Sequence, residues 1–177
     1  MILRRLNDEV FIADEPIVRL GRAQVQFLKR QAMANARKRA RICAHSSDDD
    51  ALHEMLIAIS SESYIRPHKH LGKSESFHII EGEVDVVVLD EEGNIVELVE
   101  LGEAGTGKSF FYRLSQPLFH TLLLHSDFLV VHEVTNGPFL KERTELAAFA
   151  PPESAPLEAK GYVKSLFQRV AELRAAR

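Results

Sequence analysis

His68 and His70 stand one residue apart, followed by Gly72 and Glu75. In a strand, side chains two apart project from one face, so these histidines present two imidazoles to one point. Gly72 lets the chain turn, and Glu75 can return a carboxylate to the same point. Two imidazoles and a carboxylate are a common ligand set for first-row divalent metals. His120, behind Pro117 in a later apolar run, is the best candidate for a third imidazole. Such a set fills four of six octahedral positions and leaves two neighbouring ones open for water, dioxygen or a bidentate substrate. It suits Fe, Mn, Co or Ni, and Zn with fewer ligands. One divalent transition metal is therefore the expected cofactor.

Other histidines compete less well. His125 adjoins Ser126 and Asp127 and reads as part of a turn. His78 lies three residues past Glu75, so strand alternation sends it to the opposite face. His132 and Glu133 are adjacent, so only one faces the pocket, and parity leaves open which. A basic segment adds a second feature: Arg39, Arg41 and His45, with Arg66 two residues before His68, are candidate binders of an anionic group. The guanidinium fork bonds two oxygens of a carboxylate or phosphate. The alternative is a solvated helix end, where the macrodipole stabilises cations. Cys43 reads as a small buried hydrophobe. Asn136-Gly137-Pro138-Phe139 reads as a turn leaving a strand, or as a loop at the pocket rim.

The elements that must hold these groups are mostly strands. Segments 52–60, 77–89, 95–101, 109–114, 119–124 and 128–134 are rich in Val, Ile, Leu and Phe, with turn residues between them. Short strands without intervening helices argue for a sandwich or barrel. A short strand is expected at 10–13 and a helix at 22–38, where Val25, Leu28, Ala32 and Ala36 recur at helical spacing. A C-terminal amphipathic helix is expected from Tyr162 onward, with Pro156 suited to a first helical turn. The expected organisation is an N-terminal extension (1–50), a barrel (51–140) and a C-terminal extension (141–177).

The chain has 177 residues, 45% hydrophobic and 27% charged, with a net charge of −4 and a single cysteine. That composition is of an ordinary globular protein. The charge argues against nucleic-acid binding, the lone cysteine excludes an intrachain disulfide, and no run is long enough to span a bilayer. A cytoplasmic location is expected.

His68, His70, Glu75 and Gly82 resemble the first motif of the cupin superfamily, and His120 is carried over to the histidine of the second. Glu62 replaces the usual opening Gly, Pro117 stands where Gly is expected, and Leu124 stands where Asn is common. A wider resemblance, through Arg39-Ala-Arg41-Ile-Cys43-Ala-His45, His53-Glu54-Met55, Arg66-Pro-His68-Lys-His70 and Glu133-Val-Thr-Asn136-Gly137-Pro138-Phe139, is to the WbuC-type cupin-fold metalloproteins. It implies a mainly β, double-stranded β-helix (jelly-roll) barrel, a bound metal, a homodimer and a link to surface-polysaccharide biosynthesis. The function so implied is a metal-binding cupin, an enzyme on a small anionic or sugar-derived substrate. The alternatives are a non-catalytic metabolite-binding cupin and a metal-independent sugar-nucleotide isomerase or epimerase.

Overall fold

The structure, a computed structural model, describes residues 2–176; Met1 and Arg177 lie outside the described residues. Strands β1 (Leu3–Arg5) and β2 (Val10–Ala13) precede helix α1 (Arg22–Ala34). Then come β3 (Arg39–Cys43), β4 (Leu52–Ser60), β5 (His68–His70), β6 (Glu75–Glu81), β7 (Val84–Leu89), β8 (Ile95–Leu101), β9 (Phe111–Leu114), β10 (Phe119–Leu124) and β11 (Phe128–Asn136). A 3-10 turn at Lys141–Arg143 leads to β12 (Thr144–Leu146), and helix α2 (Pro156–Ala175) follows. The strands form a seven-stranded sheet, β1-β2-β3-β4-β11-β6-β9, and a five-stranded sheet, β12-β5-β10-β7-β8. The fold is a mainly β jelly roll with an N-terminal and a C-terminal helix, as expected.

Both sheets are covered on both sides at their centres. Met55 and Ile57 on β4, Phe77 and Ile79 on β6, Val84 and Val86 on β7, and Leu122 on β10 fill the space between the sheets. Leu56 and Ala58 on β4 point the other way, against Val25, Leu28 and Ala32 of α1. Val87 and Leu89 on β7 likewise meet Leu166 and Val170 of α2. Two-sided burial explains why β4 and β7 read as nearly continuous apolar runs instead of alternating ones.

Several boundaries differ from the expected ones. The helix expected over 22–38 ends at Ala34. Asn35 Nδ2 donates to the carbonyls of Gln31 and Arg39, at 2.9 and 2.8 Å, and holds a turn there. Arg39 and Arg41 then belong to β3, whose pairing with β4 overrides local helix propensity. The run 77–89 divides at Gly82, which has φ +93 and where a Cβ would collide with the Phe128 carbonyl. Helix α2 begins at Pro156, through Gly161, because Ala159 is already buried there. Among the described residues no helix is long and apolar enough to cross a membrane.

Candidate metal centre

The fold brings His68, His70, Glu75 and His120 together. His68 on β5 pairs directly with His120 on β10, and His70 pairs with Thr144 on β12. Glu75 opens β6 in the facing sheet. One ligand atom from each residue lies within 4.8 Å of every other. The His68 ring centroid is 4.9 Å from that of His70 and 4.6 Å from that of His120.

Hydrogen bonds orient the rings. Nδ1 of His68 donates to the Arg66 carbonyl at 2.9 Å, and Nδ1 of His120 to the Leu118 carbonyl at 3.0 Å. A carbonyl only accepts, so each Nδ1 carries a proton and Nε2 is turned inward. His70 Nδ1 meets Thr144 Oγ1 at 3.2 Å. His70 Nε2 and His120 Nε2 lie 3.2 and 3.3 Å from the Glu75 oxygens. The Tyr112 hydroxyl donates to Glu75 Oε1 at 2.9 Å. Imidazoles anchored through the outer nitrogen, and a carboxylate held by a neighbour, are the usual support of a metal-ligand set. The donor chemistry therefore fits a divalent transition metal.

The electrostatics of the metal-free cluster are uneven. Burial, then the charge of His120, lowers the His68 pKa to about 4. Burial acts the same way on His120, but the hydrogen bond and charge of Glu75 outweigh it and raise the net value. Burial would raise Glu75, but hydrogen bonds from His120 and His70 hold it well below the usual carboxylate range. Glu75 thus favours the protonated form of His120, while burial favours the neutral form of His68.

Glu133, not His132, faces the barrel interior. β11 pairs Glu133 with Phe77 and Met55, both inward residues. His132 faces outward and meets Glu54 at 3.5 Å. Burial, then the charge of Glu75, pushes the Glu133 carboxyl up to about 8, against opposing pulls from Arg41 and His120. Alternation along β3 places Arg41 and Cys43 on the inner face, since Ala40 and Ile42 pack outward against α1. Burial pushes the Cys43 thiol up to about 11, so it is no nucleophile at neutral pH.

The other anion-binding candidates are engaged elsewhere. Arg39 pairs with Glu153 at 2.8 Å and donates to the Tyr64 carbonyl at 3.2 Å. Arg66 donates its guanidinium to the Ala147 carbonyl at 2.6 Å and supports the cluster through its own carbonyl. His45 stacks on His53 with centroids 4.0 Å apart, and burial, then His53, lowers its pKa. His125 bonds the buried Asp85 at 2.7 Å, away from the cluster. The 136–139 segment does sit beside the cluster: Asn136 Oδ1 accepts from Ser74 N at 2.9 Å, next to Glu75. Tyr112 and Thr144 carry no signal in the sequence. Neither belongs to a spaced motif, and only strand pairing brings them to the ligands.

A family profile described as a domain of unknown function, DUF6016, matches residues 20–101. No curated protein matches the chain. Among solved structures, a protein from Shewanella oneidensis superposes with a TM-score of 0.52 at 15% identity, over 72% of this chain and 82% of that one. A variant of salicylate 1,2-dioxygenase from Pseudoaminobacter salicylatoxidans gives a TM-score of 0.55 at 11% identity, over 73% of this chain and 39% of that one. The same variant in complex with gentisate gives 0.54 at 12% identity, over 73% and 37%. The chain thus spans well under half the length of the dioxygenase. At such identities the likeness establishes architecture alone: a mainly β, two-sheet jelly roll.

Proposed function

We propose that this chain is a metal-dependent cupin of the WbuC type, in which His68, His70, Glu75 and His120 hold one divalent metal. The observation that carries this reading is the anchoring of Nδ1 on His68 and His120, at 2.9 and 3.0 Å, which leaves Nε2 of both free in a group whose four ligand atoms lie within 4.8 Å of one another. When bound, the metal supplies Lewis-acid or redox chemistry at a buried point, with Fe or Mn as the first choices for this donor set.

The chain's own residues do the rest. Arg41, on the inner face near Glu133, makes no side-chain hydrogen bond among the described residues and is left to bind the carboxylate or phosphate of a small, sugar-derived substrate. Glu133, buried beside that guanidinium, holds a proton near neutral pH and can give it to, or take it from, a bound substrate. Tyr112 keeps Glu75 fixed, and the apolar residues between the sheets exclude bulk water. A cytoplasmic homodimer serving surface-polysaccharide synthesis completes the proposal.

Metal analysis of untagged wild-type and Glu75→Ala protein tests it; equal metal content in both contradicts the assignment. The metal-independent isomerase reading draws on a second observation, His120 Nε2 facing the Glu75 carboxylate at 3.3 Å, an arrangement that raises the His120 pKa and suits an acid/base pair. Turnover of sugar nucleotides that survives complete chelation would favour it. Ligand binding without any product would favour the binding-module reading.

A further inference from the structure

A cavity of about 1020 Å³ lies outside the barrel, between the Val18–Gly21 segment with the first turns of α1 and the outward faces of β4, β11 and β6. On its floor, His132 stands directly across from His78 in the β6–β11 ladder. Such partners have Cβ atoms about 5 Å apart, close enough for two imidazoles to share one ion. Glu54 on β4 brings its Oε1 to 3.5 Å from His132 Nε2.

Neither imidazole is anchored as the barrel histidines are. Among the described residues the His78 ring meets the Phe110 ring, 5.5 Å away between centroids, and the His132 ring meets Glu54. The side chains of His132 and Glu54 are 39% and 45% exposed, and His78 is exposed, so all three can reorient on the nanosecond scale. The wall is acidic. Glu54, Glu81 and Glu103 line it; Lys29 pairs with Glu81, and Arg22 is the one Lys or Arg among the lining residues. The sheet separates this floor from the barrel, because alternation along β11 and β6 sends Glu133 and Glu75 inward and His132 and His78 outward.

We infer that the outer cavity is a second divalent-metal site of zinc-like preference, formed by His132, Glu54 and, once its ring swings off Phe110, His78. Two imidazoles and a carboxylate leave one tetrahedral position for water, and the cavity has room for it. The inference does not depend on the barrel site.

The test is titration of untagged, metal-free full-length protein with Zn2+ against a chromophoric chelator, repeated with Co2+ to read its visible absorption. Wild type should bind two equivalents. His132→Ala, and separately His78→Ala, should weaken one of them at least tenfold and leave the other; His120→Ala should remove that other one. Glu54→Gln, a near-isosteric change on an exposed side chain, serves as the check should an alanine variant unfold, and should weaken the same equivalent. A single equivalent lost in His120→Ala and untouched by His132→Ala overturns the inference and leaves the barrel reading standing. A single equivalent lost in His132→Ala but kept in His120→Ala supports the inference and overturns the barrel reading. A second equivalent that persists in the His132→Ala and Glu54→Gln proteins also overturns it.

Discussion

His68 and His120 face each other across β5 and β10 with ring centroids 4.6 Å apart, yet their pKa values move in opposite directions. His68 is neutral because it is buried next to another imidazole. The protonated form of His120 is favoured because Glu75 lies 3.3 Å from its Nε2. A metal bound at this point competes with that proton.

Metal affinity should rise with pH as His120 gives up its proton to the competing ion. The sign is fixed: a raised pKa means the proton competes up to higher pH than for an ordinary histidine. His68 adds nothing to this slope above its lowered pKa of about 4. Chelator competition from mildly acid to mildly alkaline pH measures the slope; an affinity flat across that range contradicts the account.

Tyr112→Phe removes the hydroxyl that donates to Glu75 at 2.9 Å and leaves the ring packed against Phe77. We expect metal affinity to fall by about tenfold or more, as for other supporting partners of ligands. The metal-free chain should lose about 1–3 kcal/mol, because a buried carboxylate loses a partner. Metal titration and denaturant unfolding measure the two effects; an unchanged affinity would remove Tyr112 from the supporting set.

Glu133 gives a stability effect of opposite sense to an ordinary carboxylate. Its folded pKa is raised to about 8, while the unfolded value is about 4.3. Across that window the folded chain holds a proton that the unfolded chain has released. Stability of the metal-free protein should thus decline as pH rises from the unfolded to the folded value. Glu133→Gln should flatten that decline. Melting temperatures from pH 5 to 8 would show it, and parallel curves for the two proteins would contradict it.

The buried Asp85 clasps α2 to the sheet, accepting from Arg174 at 2.8 Å and from His125 at 2.7 Å. Arg174→Ala should cost about 1–3 kcal/mol, since one of two donors to a buried carboxylate is lost. Leu166→Ala, at a position 1% exposed beneath the same helix, should cost about 2–5 kcal/mol. Neither should change metal stoichiometry, because both lie outside the barrel interior. Denaturant unfolding with metal analysis checks this; lost metal in a folded variant would contradict it.

Much of this was legible in the residues. The His68-x-His70 spacing, the Gly72 turn and the apolar runs led to strands whose pairing brings four donors within 4.8 Å. Strand β3 was not legible, because Arg39–Cys43 follows a helical pattern and is rich in arginine; its pairing with β4 is a long-range choice that no local signal carries. The choice between His132 and Glu133 also waited for register, since shifting one residue along a strand exchanges the two faces. The arginines show the same limit. Arg39, Arg41 and Arg66 are alike in sequence, and only the distant partners Glu153 and Ala147 set Arg41 apart.

The most direct test is metal content of untagged protein by plasma mass spectrometry, beside His120→Ala. The outer cavity is kept out of the count by His132→Ala in both proteins. The account predicts about one transition metal per chain, lost on His120→Ala. Absence of metal even after reconstitution, or metal retained in full without His120, would contradict it and leave these histidines as acid/base or structural groups.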